Sequence, residues 1–118
     1  MPTANALDFP AGSVVVVPFP SSDRLAEKRH PAVVVSGAAV ARAGYVWITM
    51  ITSARNAGMA GDIPIADLGA AGLGVASTVR PFKIACIEPG RVLRGIGALP
   101  PVTAEAVFAA IHDWVGPA

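Results

Sequence analysis

Lys28-Arg29-His30 runs directly into Pro31-Ala32-Val33-Val34-Val35-Ser36, so three basic or titratable side chains stand at the mouth of a β-branched segment. The proline biases His30 towards extended backbone, and the valines after it belong in buried β-structure. Charges fixed in place by a sheet are positioned to meet a phosphate. A second group, Thr52-Ser53, closes the apolar run Tyr45-Val46-Trp47-Ile48-Thr49-Met50-Ile51, and its two hydroxyls can donate hydrogen bonds to the same anion. Arg55, Arg80 and Lys83 add further cations. Taken singly, each residue also has a plainer reading. Charges at a strand mouth keep an edge soluble, Thr favours strands because it is β-branched, and Arg80 can pair with an acidic side chain within the fold.

The elements that must hold these groups are mostly strands. Ser13 to Pro20, apolar on both faces and closed by prolines, reads as a central strand. The polar segment from Ser21 to His30 reads as a flexible loop, and Ala32 to Ser36, extending towards Val40, as the second strand. Gly44 opens the third strand, which ends at Thr52 and Ser53. Asn56 to Gly61 is a turn, Asp62 to Ile65 a short strand, and Asp67 to Gly74 a Gly/Ala connection. Ala76 to Lys83 is extended, with Thr78, Arg80 and Phe82 alternating onto one face. Ile84 to Glu88 forms a further strand before the turn signal Pro89-Gly90. Thr103 is expected to cap a helix over residues 103–115, whose stripe is Val107, Phe108, Ile111, Trp114 and Val115. The fold class is therefore mainly β with a C-terminal helix, a small barrel or strongly bent sheet. Residues 1–10 are expected to be a flexible arm, with Phe9 tacked onto the core, and residues 11–118 one domain.

Composition narrows the function. With 53% hydrophobic and 14% charged residues and a mean hydropathy of +0.58, the 118-residue chain is apolar enough to expect a partner surface, most simply a twofold dimer. A net charge of +1 excludes a uniformly basic coat, so nucleic-acid contact would need a local cluster. Cys86, the one cysteine, excludes an internal disulfide and is expected to be a small core hydrophobe in a reducing, cytoplasmic setting. No membrane span or leader is expected. Two histidines and one cysteine, widely separated, offer no zinc site. There is no Gly-rich phosphate loop, no Gly-x-Ser-x-Gly elbow and no redox-cofactor motif, so neither metal nor cofactor is expected. Trp47 and Trp114 are expected to pack in the core or a dimer interface, and His112 to face solvent.

Several motifs occur in consistent order over residues 9–116. They are Phe9-Pro10-Ala11-Gly12, Val14 to Pro20 with Asp23, the Lys28 to Ser36 stretch, Met50-Ile51-Thr52-Ser53, Gly61-Asp62-Ile63-Pro64-Ile65, Ser77 to Ile84, and Arg94-Gly95-Ile96-Gly97-Ala98-Leu99. Together they resemble the PemK/MazF family. The resemblance implies an SH3-like β-barrel, a homodimer, and the toxin of a type II toxin–antitoxin pair, with a cognate antitoxin as partner. It also implies metal-independent, sequence-selective cleavage of single-stranded RNA.

In that family an Arg at the start of the second strand and a Thr at the end of the third face the scissile phosphate. Thr52 matches the Thr. The family's Arg stands immediately before the proline, where this chain has His30, with Arg29 one position earlier, and neighbouring strand residues point to opposite faces. Arg29 is the first choice for charge stabilisation and His30 a candidate acid or base. RNA brings its own nucleophile, the 2′-OH, so cleavage needs a base, a cation for the phosphorane and an acid for the leaving 5′-oxygen. The expected products are a 2′,3′-cyclic phosphate and a 5′-hydroxyl. Lys28, Ser53, Arg55, Arg80 and Lys83 are candidates for binding the RNA strand. Two alternatives stay open: a CcdB-like toxin that poisons gyrase, suggested by Trp114-Val115-Gly116 near the C-terminus, and a non-catalytic member that binds only RNA or antitoxin.

Overall fold

The structure is a computed structural model that describes residues 5–20 and 27–117; the side chains of residues 19, 20, 27 and 28 lie outside that description. Six strands form one antiparallel sheet: β1 (Ser13–Pro20), β2 (Glu27–Val34), β3 (Val46–Ser53), β4 (Ile63–Pro64), β5 (Ser77–Ile87) and β6 (Arg94–Ala98), in the order β4-β5-β3-β2-β1-β6. The sheet curls into a half-barrel carrying the helix α3 (Pro101–Trp114).

The valine-rich strands are apolar on both sides because both sides are covered. Val14, Val33, Ile51 and Val79 pack with Ile65, Leu99, Ala104 and Val107 beneath α3. On the opposite face, Val15, Val17, Ala32, Val34 and Ile48 pack with Ala6 and Val92. Each buried Val or Ile contributes roughly 1.5–3 kcal/mol by leaving water, so these alternating faces are what fix the register.

Two short helices lie in the connections, α1 (Ala38–Arg42) and α2 (Leu68–Ala71). α1 occupies the place where a continuing second strand was expected. α2 is capped by the Asp67 carboxylate, which accepts from the Ala70 N–H at 3.0 Å. It packs on β6 and so bridges the two edges of the curled sheet. That approach is possible only with glycine at the contact. A Cβ on Gly72, whose φ is +74°, would run into the Ile96 carbonyl, and one on Gly97 would lie 2.5 Å from the Ala70 carbonyl oxygen.

Several details depart from the sequence reading. β2 begins at Glu27, with Pro31 inside it opposite Val16, so Arg29 and His30 belong to the strand. Residues 21–26 of the expected loop lie outside the described residues. The two segments expected over 76–88 are one strand, β5, interrupted by a bulge. Thr49 pairs with Ile84 and Met50 with Arg80, leaving Pro81, Phe82 and Lys83 as the excess. Proline has no N–H for the ladder, and the buried Thr49 hydroxyl holds the bulge by donating to the Arg80 carbonyl at 2.7 Å, with the Lys83 carbonyl 3.0 Å away.

α3 starts at Pro101, not at Thr103. Proline suits the first helical position because the N–H it lacks would have had no partner, and Thr103 is buried. Val107, Phe108 and Ile111 face the core, whereas Trp114 and Val115 are exposed. Cys86 is exposed as well, because strand alternation turns it away from Ala85 and Ile87, which pack inward. Of the expected arm, residues 1–4 are outside the described residues. Asn5 caps a 3-10 turn over Ala6–Asp8, and Ala6 and Phe9 pack on the second core cluster.

Candidate functional site

β3 delivers Thr52 and Ser53 to one end of the sheet, where the chain leaves the strand through a 3-10 turn, Ala54–Asn56. Ser53 caps that turn, its hydroxyl oxygen accepting from the Arg55 N–H at 3.3 Å, and the Arg55 side chain is exposed. The Thr52 hydroxyl oxygen accepts from the Asn56 side-chain amide at 3.2 Å. That bond engages one of the hydroxyl's two lone pairs and leaves its O–H available as a donor.

Beneath this end, Arg80 and Asp62 form a bidentate ion pair. Arg80 Nε donates to Asp62 Oδ1 at 3.1 Å and Nη2 to Oδ2 at 3.0 Å, with side-chain exposures of 13% and 8%. Nη2 also donates to the Asn56 backbone carbonyl at 2.7 Å. Asp62 Oδ2 accepts the Gly58 and Met59 N–H groups, each at 3.2 Å. The hydrogen bonds from Arg80 hold the Asp62 carboxyl below its ordinary range against the opposing effect of burial, and Arg80's charge and the two backbone donors reinforce them. The same pairing raises the Arg80 guanidinium further. Arg80, a candidate for the RNA path, thus has its guanidinium turned into the fold.

β2 brings the other two candidates to the same end, on opposite faces. His30 pairs with Val17 and shares the face of Val17, Ala32 and Val34. Arg29 pairs with Pro18 and shares the face of Val16 and Val33. The β2–β3 ladder ends at Ala32 and Met50, and continuing its register places His30 opposite Thr52 and Arg29 opposite Ser53. Because Ile48 and Ile51 contribute to different core faces, alternation puts Thr52 on the face of Ile48, which is also His30's. The position before the proline is therefore the one that shares the Thr52 face. Arg29, exposed, lines a depression of about 190 Å³ with Val16, Leu93 and Arg94.

Lys83 is exposed in the bulge, at the level of Thr49 and so away from Thr52 along the strand. The Lys28 side chain lies outside the described residues. Trp114 stacks on Phe82 with ring centroids 4.1 Å apart and 11° between planes, and His112 is exposed beside Asp113. Among the described residues, no group of three or more His, Cys, Asp or Glu side chains is placed to hold a metal ion, and no helix is long and apolar enough to cross a membrane. From the sequence, Asn56 is only the start of a turn and Arg94 only part of a motif, neither a site residue, and Asp62 has no named partner. The signal for Asp62 was its place at the head of a short strand that could pair beside Arg80.

Comparison with known proteins fits this architecture. A family model described as the PemK-like, MazF-like toxin of type II toxin–antitoxin systems matches residues 11–115. The fold is similar to that of a MazE–MazF complex (Form-II) from Deinococcus radiodurans, with a TM-score of 0.68 at 20% identity over 92% of this chain and 96% of that one. It is also similar to the Mycobacterium tuberculosis toxin MazF-mt6, with a TM-score of 0.66 at 23% identity, covering 86% and 93% of the two chains. An endoribonuclease in complex with its cognate antitoxin, from a mycobacterial species, gives 0.68 at 14% identity over 92% and 98%. The comparison with curated proteins gives no match. At these identities the solved structures establish the fold, while the family model covers nearly the whole chain, barrel and helix together; the protein belongs to the PemK-like, MazF-like family of type II toxin–antitoxin toxins.

Proposed function

We propose that this toxin is an endoribonuclease that cleaves single-stranded RNA, using attack of the 2′-OH on the adjacent phosphate to give a 2′,3′-cyclic phosphate and a 5′-hydroxyl. What supports this reading is that the β2–β3 register, continued past its last pair at Ala32 and Met50, brings His30 level with Thr52 on one face. Thr52 donates to a non-bridging phosphate oxygen, and Ser53 supplies a second hydroxyl at the rim. His30 performs the proton transfers, removing the 2′-OH proton and returning one to the leaving 5′-oxygen. Arg29, on the adjoining face, neutralises charge on the phosphorane with a planar fork suited to phosphate oxygens. Arg55, Lys28 and Lys83 steer the strand, and Arg94, beside Arg29, extends the same cationic track. The cognate antitoxin binds as an acidic, apolar segment laid over these arginines.

The chain acts as a homodimer. An apolar depression of about 440 Å³ lined by Val35, Trp47, Ile84, Cys86, Ile111 and Val115 lies across β3, β5 and the end of α3, and Trp47 is 45% exposed there. An apolar surface of this kind is best covered by a second copy of itself.

The test is incubation of purified protein with single-stranded RNA in excess chelator, with the product ends read by mass spectrometry. Specific cuts with cyclic-phosphate ends are expected, and His30→Ala and Thr52→Ala should each lower kcat by about 100-fold. If Arg29→Ala leaves kcat intact while Arg55→Ala abolishes it, the phosphorane cation is Arg55. Gyrase inhibition with intact RNA would replace the reading with a CcdB-like one, and intact RNA without gyrase inhibition would leave a binding protein.

A further inference from the structure

Residues 56–62, Asn-Ala-Gly-Met-Ala-Gly-Asp, have little of their own to hold them in one shape. Gly58 and Gly61 adopt φ of +125° and +86°, conformations that most side chains avoid, and no strand pairing begins until Ile63. Yet the segment is gripped at three points. Asp62 gathers the Gly58 and Met59 N–H groups, Arg80 clasps Asp62 with its fork, and the same guanidinium holds the Asn56 carbonyl at 2.7 Å. On its outer side Gly61 lies against the Phe82–Trp114 stack, so closely that a Cβ there would be 2.7 Å from Trp114 Cη2. Asn56 is thereby fixed at its backbone, and its side-chain amide donates to Thr52.

From this chain of contacts we propose that Arg80 and Asn56 are positioning residues. They hold the Thr52 side chain in place through one of its hydroxyl's two lone pairs, so that its O–H serves as the donor to the phosphate. The proposal deepens the nuclease reading and rests on it. Arg80 then contributes through Asn56 to the orientation of a donor, without touching RNA. An unconstrained threonine hydroxyl samples several rotamers and can accept as readily as donate. One that accepts from a fixed amide has one of its two lone pairs engaged and its side chain held in one rotamer, which favours the O–H as donor to a phosphorane oxygen.

A double-mutant cycle tests this, with single-turnover RNA cleavage as the readout and thermal unfolding of every variant alongside. Asn56→Ala removes only the amide, and a conservative Arg80→Lys retains the charge facing Asp62 while losing the fork. Each is expected to lower kcat by about tenfold or more with KM within about twofold, the pattern of a lost transition-state interaction. In a Thr52→Val background, which has no hydroxyl to orient, Asn56→Ala should have no further effect on the rate, because the residues act as one unit. An unchanged kcat in both single variants overturns the positioning role. So does a loss of equal size in the Thr52→Val background, which would mean that Asn56 acts elsewhere. A wild-type protein that leaves RNA intact removes the nuclease reading itself, and the positioning role falls with it, a result distinct from either of the others.

Discussion

At Asp62 a nearly buried carboxylate is kept ionised by a guanidinium fork and two backbone N–H groups, and the consequence is a stability that depends on acid in one direction only. Its pKa in the folded protein lies below the ordinary 3.8. The unfolded chain therefore binds the proton more readily, and the stabilisation is fully present above about pH 4 and lost as pH falls through the folded value. Urea titrations between pH 5 and 2 should show wild-type stability declining through that window, and Asp62→Asn should give a less stable protein with a flatter profile. Arg80→Ala would leave Asp62 with only its two backbone donors and should lower stability at neutral pH by about 1 kcal/mol. A wild-type profile parallel to that of Asp62→Asn would contradict this account.

The elements owe their arrangement to two small contacts. Thr49 and the Pro81–Lys83 bulge let β5 turn as it crosses β3, and α2 meets β6 where Gly72 and Gly97 leave space. Neither glycine tolerates a side chain, Gly72 for its left-handed backbone as well as for the Ile96 carbonyl. Gly72→Ala and Gly97→Ala should each destabilise the fold by about 2–4 kcal/mol in denaturant melts, whereas Gly90→Ala, with open space around it, should stay within about 0.5 kcal/mol of wild type. The site at the end of β2 and β3 depends on this closure only through the common core. Folded Gly97→Ala should therefore retain its rate on RNA while melting earlier.

For the molecule as a whole, the exposed apolar surface is the feature that the core leaves unexplained. Trp47, Ile84, Cys86 and Val115 are turned outward because their strand and helix neighbours are turned in, and together they form one depression. Sedimentation at tens of micromolar should find a dimer. Trp47→Glu and Ile84→Asp should shift it to monomer while the far-UV spectrum stays unchanged, since neither residue is part of the core. A monomeric wild type would sink the assignment of this surface.

The alternation of valines, the prolines and glycines that punctuate them, and the apolar stripe of the last helix were enough to give a curled antiparallel sheet with one terminal helix. The motif order was enough to indicate the family. Local pattern carries that information because backbone period and hydrophobic burial act within a few residues of each side chain. What it could not decide were questions of partnership between distant residues. Cys86 read as core from its apolar neighbours and proved exposed, since composition does not say which face of β5 is covered. Arg80 read either as a cation for the RNA path or as half of an ion pair within the fold, and only the pairing of β4 with β5, which sets Asp62 beside it, gives the second. Nor could local pattern say which of Arg29 and His30 shares a face with Thr52, because a single-residue step along a strand exchanges one face for the other and only the sheet fixes which face carries Thr52.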